Sequence, residues 1–112
     1  MGASPRRKPA RLARKLLEIR KALGLSQNGL IRRLGETDEL TQAEISAYER
    51  GVRIPSLPTL LKYSEIAMVW MDVLVNDALD LPPELPSRSK HRGIPRAPAV
   101  KEKAKATPSI SK

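Results

Sequence analysis

The 112-residue chain has no cysteine, no phenylalanine and a single histidine, His91. The missing thiols exclude disulfides, thiolate nucleophiles, iron–sulfur clusters and thiolate zinc sites together. One histidine leaves no pair for a metal ligand set or a nucleophile–base relay, and the carboxylates are scattered over caps and turns. No apolar run approaches the ~18 residues that a bilayer-spanning helix needs. The opening Met-Gly-Ala-Ser-Pro-Arg-Arg-Lys carries charge without an apolar stretch behind it, which argues against a signal peptide. No catalytic residue, metal site, cofactor or membrane association is expected, and an enzyme is the weakest class.

Positive charge is what the chain has in excess. Lysine and arginine total 21 against 12 acidic residues, a formal net charge of +9. A basic chain without cysteine suits a reducing cytoplasm and a polyanionic partner. Residues 1–33 carry ten Lys/Arg against Glu18 alone, residues 34–81 carry three against nine acids, and residues 82–112 carry eight against two. The last block also holds six of the ten prolines, and its apolar residues show no period. Such a segment buries too little surface to offset its ordering entropy. The expected organisation is a disordered basic arm over 1–9, a folded domain over 10–80 and a disordered Pro/Lys-rich basic tail over 81–112.

Within 10–80 the punctuation predicts five short helices and no strand, an all-α domain. Leu12, Leu16, Ile19 and Leu23 form one helical stripe, with Gly24 placed to end it. Ser26 caps a second helix with Leu30, Ile31 and Leu34 inward, closed by Gly35. Thr41 and Glu44 form a capping box for a third, with Leu40 and Ile45 as its hydrophobic staple. Tyr48 continues that stripe to Gly51. Ser56 caps a fourth helix with Leu57, Leu60, Leu61 and Ile66 on its apolar side. A fifth is expected from Trp70 to Leu79, ahead of Pro82-Pro83.

The second and third helices, each about two turns long, meet across a short polar stretch, the pattern of a helix-turn-helix. With Ile45 and Tyr48 inward, Gln42, Ala43, Ser46 and Ala47 turn outward. These short, uncharged side chains allow close approach to base edges; an amide can pair with adenine, and methyls can touch thymine. Ala43 and Ala47 are equally explained as good helix formers, and Gln42 as a soluble first-turn residue. Arg11, Arg14, Lys15, Arg20 and Lys21 give the first helix a face of one sign, suited to phosphate contact. Trp70, Met71 and Leu74 belong to a crowded apolar stretch that reads either as core or as a dimer interface.

Gly-Leu-Ser-Gln (24–27), Leu-Gly (34–35), Ile-Ser-Ala-Tyr-Glu-Arg-Gly (45–51) and Pro-Ser-Leu-x-x-Leu-Leu-Lys-Tyr (55–63) together resemble the Cro/cI-type helix-turn-helix family, also called the XRE family, over about residues 12–76. The resemblance implies a compact five-helix, repressor-like domain that binds double-stranded DNA as a homodimer. It also implies a cytoplasmic, nucleoid-associated setting of bacterial or phage type. By position, Gln42, Ala43 and Ala47 fall where the family reads bases, with Glu44 and Ser46 beside them. Gln27, Arg50 and Arg53 fall at phosphate positions, and Gln27 also braces the recognition helix. Two departures stand out. The turn before the third helix is longer and includes Glu36, Asp38 and Glu39, and Met68 replaces a glycine between the fourth and fifth helices. The alternative reading is a protein-interaction module, antitoxin-like or adaptor, that docks a protein partner through the acidic turn and apolar fifth helix.

Overall fold

The computed structural model describes residues 9–96; positions 1–8 of the expected arm and 97–112 of the expected tail lie outside the described residues. In chain order the elements are α1 (Leu12–Ala22), α2 (Gln27–Leu34), α3 (Gln42–Glu49), α4 (Leu57–Ala67), α5 (Met71–Val75), β1 (Leu79–Asp80) and β2 (Ile94–Pro95). The five expected helices are all present. The strands add one small antiparallel pair, Leu79 opposite Pro95 and Asp80 opposite Ile94. None of the described helices is long and apolar enough to cross a membrane.

The caps form as their spacing dictates. Ser26 and Ser56 each accept a hydrogen bond from the backbone N–H three residues on, Gly29 and Thr59. Thr41 and Glu44 make both halves of the capping box, at 3.2 and 3.0 Å. Gly24 follows α1 in the left-handed region at φ 71°, which glycine adopts without the Cβ clash. Met68 takes that conformation at the end of α4, φ 59° and ψ 47°, so the turn keeps its shape without glycine at a cost of about 1 kcal/mol.

The core gathers Leu16, Ile19, Leu30, Ile45, Tyr63, Val69, Val73 and Leu74, all without measurable exposure. Burying each contributes about 1.5–3 kcal/mol. α1 lies at the centre, packed on α3, α4 and α5, while α2 packs on α3 and α4. Leu60 and Ile66 face this core, but Leu57 and Leu61 do not. They stand 70% and 45% exposed.

The expected fifth helix is cut to five residues. Asn76 takes an extended conformation, and its Oδ1 accepts from Ala78 N at 2.9 Å, a local turn that competes with helix. Asp77 accepts from Ala10 N and Arg11 N, closing the start of α1 from 66 residues away.

The expected boundary at 80 is also corrected, because residues 81–96 form a strap over the α4–α5 corner. Ser87 N donates to Ala67 O, His91 N to Met68 O, and Trp70 N to His91 O, at 3.1, 2.9 and 2.8 Å. Leu81 and Leu85 pack on the core. His91, unassigned in a disordered tail by sequence, accepts from Gly93 N through Nδ1. Backbone pairing to the exposed carbonyls at the end of α4 orders this segment where its side chains alone would not.

Gly93 sits at φ +85°, and a Cβ there would lie 2.9 Å from Val73 Cγ2 and 3.0 Å from Asp80 O; at Gly24 a Cβ would meet nothing within 4 Å. Gly24→Ala is therefore expected to lose only the conformational term of about 1 kcal/mol, and Gly93→Ala about 1–3 kcal/mol more. Urea midpoints compared across the pair check this; equal losses would mean that the strap does not support the core.

Candidate nucleic-acid interface

α3 is short and few of its side chains face the core, so its orientation needs other support. A buried carboxylate supplies it. Glu49, its side chain only 6% exposed, accepts from Arg20 Nε at 2.6 Å and Nη2 at 3.1 Å. Gln27 Nε2 donates to the same carboxylate at 3.2 Å. Arg20 Nη1 also donates to Leu25 O at 3.0 Å. One carboxylate thus joins α1, the start of α2 and the end of α3. Its hydrogen bond holds the Arg20 guanidinium above the ordinary arginine range despite desolvation.

The outward face of α3 presents Gln42 and Ala43 exposed and Ser46 half-buried, with Arg50 exposed just beyond. Arg50 Nε donates to Ser46 Oγ at 3.2 Å. Two expected base-contacting residues are placed otherwise. Ala47 is 7% exposed, and its carbonyl accepts from Val52 N and Arg53 N as the chain folds back over it. Its methyl is therefore withdrawn from the surface. Glu44 holds Thr41 N through Oε1, so its carboxylate is engaged in the cap rather than free for a base.

The expected phosphate contacts divide as well. Gln27 has its bracing role toward Glu49, and Arg53 is exposed in the loop after α3. Arg14 is exposed, with a loose 3.7 Å contact to Glu18. Arg11 and Lys15 face inward instead. Arg11 pairs with Asp80 at 2.5 Å, and Lys15, 2% exposed, donates to Val73 O at 2.7 Å and Asn76 O at 3.0 Å. These two lie one turn apart on the face of α1 that meets α5 and β1, a surface invisible until the distant segments are in place. Leu74, expected at a dimer interface, is fully buried in the core. Sequence reading passed over Arg32, which shares a cleft of about 200 Å3 with Asn28, Thr41 and Gln42.

The acidic turn is partly neutralised. Glu36 accepts from Lys62 Nζ at 2.7 Å and Thr59 Oγ1 at 3.2 Å, both on α4. Those bonds, Lys62 foremost, hold its carboxyl below the ordinary glutamate range against the opposing effect of burial. Asp38 and Glu39 remain exposed.

The model of a helix-turn-helix family matches residues 16–66, from within α1 almost to the end of α4. A search of curated proteins finds no match.

Burial pushes the Lys15 ammonium below the ordinary lysine value of 10.5; Arg11 acts the same way, while Asp77 and Asp80 oppose. The folded state then binds fewer protons than the unfolded chain as pH approaches 10.5, so this residue's contribution becomes more favourable as pH rises. Wild type is expected to gain stability relative to Lys15→Met as pH is raised from neutrality toward that value. Tyr63, whose hydroxyl is pushed upward mainly by burial, is common to both proteins and cancels. Denaturant midpoints across alkaline pH check the sign, and a falling difference contradicts it.

Proposed function

We propose that this chain, whose residues 16–66 match the model of a helix-turn-helix family, is a DNA-binding transcription regulator of the Cro/cI type, a sequence-specific repressor reading the major groove with α3. The observation that carries the proposal is an exposed pair of small side chains, Gln42 and Ala43, on a helix clamped from behind by the Arg20–Glu49 pair. A helix held this way presents its face without a further ordering cost on binding. Gln42 has the amide geometry for paired hydrogen bonds to adenine, and the Ala43 methyl fits against thymine. Ser46 adds a hydroxyl held by Arg50. Arg53, Arg50, Arg32 and Arg14 are the exposed cations available to phosphates around that face.

In this reading the protein acts as a homodimer on a two-fold site. Val52, Ile54, Leu57 and Leu61 are 44–70% exposed, an apolar surface that follows directly on the recognition helix and offers a second copy something to bury. Trp70 and Met71 fit that role less well than the sequence suggested, since Lys90 and Arg92 stand over the Trp70 ring.

Selection from a random duplex pool is expected to enrich a symmetric site. On that site Gln42→Ala should cost about 1–3 kcal/mol and relax preference at one base pair; equal loss on every sequence would mark a backbone contact instead. Leu57→Glu with Leu61→Glu should leave the helical content intact and shift sedimentation from dimer to monomer. An unchanged dimer would exclude this face.

A further inference from the structure

The strap places the chain's single tryptophan under two cations. His91 pairs on both sides with the α4–α5 corner, through Met68 O and Trp70 N. In an extended segment neighbours of an inward residue point the other way, so residues 90 and 92 are held over the corner. Lys90 Nζ and Arg92 Cζ each lie 5.6 Å from the centroid of the Trp70 ring, within cation–π reach. Among the described residues neither cation has a carboxylate partner. Trp70 remains 46% exposed. Beside it runs a groove of about 510 Å3, lined by Trp70, Met71, Asp72, Leu79 and Arg92.

An exposed indole, an apolar floor from Met71 and Leu79, and two adjacent cations without partners call for a ligand that is planar on one part and anionic on another. We propose that this groove binds a nucleotide, its base stacked on Trp70 and its phosphate held by Lys90 and Arg92. Stacking on an aromatic platform with cations tracking the backbone is how single strands are held without sequence readout. Asp72 repels phosphate but accepts from the exocyclic amine of a base, which favours adenine, guanine or cytosine over thymine or uracil. A duplex keeps its bases stacked on each other and cannot offer one to the ring. The site is therefore distinct from the α3 surface: α5 packs on α1, α4 and β1, whereas α3 packs on α1 and α2. It also lies outside residues 16–66, so it stands or falls independently of operator recognition.

The same chemistry can come from a free mononucleotide or from a single strand, and Trp70 itself reports on both, being the only tryptophan. The full-length protein is titrated with a short oligodeoxyadenylate, with adenosine monophosphate and with an abasic deoxyribose-phosphate oligomer. The expected result is saturable quenching of Trp70 fluorescence by the oligodeoxyadenylate or the mononucleotide, and weak or no quenching by the abasic oligomer. Quenching by the mononucleotide alone at comparable concentration assigns a small-molecule effector; a strong preference for the oligomer assigns a single strand. Lys90→Gln with Arg92→Gln should weaken binding about tenfold or more and, for the oligomer, lower the salt slope by roughly one. Trp70→Leu, followed by the polarisation of a labelled oligodeoxyadenylate, should weaken it by about 5- to 150-fold, the loss expected for one stacked base. Circular dichroism of each variant should match wild type, since all three side chains are exposed. Absence of quenching by every nucleotide probe, equal binding of the abasic oligomer, or undiminished binding by the double variant would overturn the proposal. Binding of a selected duplex operator should survive all three substitutions.

Discussion

The orientation of α3 depends on one buried ion pair. Eight residues of α3 contribute Ile45, Ala47 and Tyr48 to the interior, too little apolar contact to fix a rotation about the helix axis. The Glu49 carboxylate, held by two nitrogens of Arg20 and by Gln27, sets that rotation from its C-terminal end. The Thr41–Glu44 box sets it from the other. Removing two charges from water is expensive, and a buried pair returns that cost only when geometry and additional hydrogen bonds are good. Here the guanidinium meets the carboxylate side-on, and its remaining Nη1 finds Leu25 O. The pair thereby fixes α3 against both α1 and the start of α2.

What the sequence revealed and what it hid divide along chain distance. Caps, staples and glycine stops involve residues three to five positions apart, and each of these was readable: Ser26, Thr41 with Glu44, Ser56, Gly24. The face of α1 bearing Arg11 and Lys15 was misread because its partners, Asp77, Asp80 and the end of α5, lie some sixty residues away. No local rule distinguishes a cation aimed at solvent from one aimed at a distant carbonyl. Ala47 was misread for a related reason, since it is the returning loop at Val52 and Arg53 that covers it.

Composition misled in the strap. Prolines, charge and an absent apolar period argue against a packed core, and 81–96 has none of its own. It gains order by borrowing: its backbone completes the carbonyls of Ala67 and Met68, and Gly93 lets it lie against Val73. That same borrowing explains the crowding of apolar residues after Val69. Val73 and Leu74 need a cover that α1 and α4 alone do not supply, and β1, Gly93 and Leu85 complete it. The domain is thus a helix-turn-helix unit with an added C-terminal closure.

The lengthened turn ahead of α3 is anchored at both shoulders. Gly35 and the Glu36–Lys62 contact hold one side, and buried Leu40 holds the other, leaving only the tip from Thr37 to Glu39 in water. Length added to a loop whose ends are already fixed costs little, because closure entropy grows only logarithmically. Residues can therefore be gained or lost at the tip while α3 keeps its angle, which lets this corner diversify in charge and size independently of the face that α3 presents.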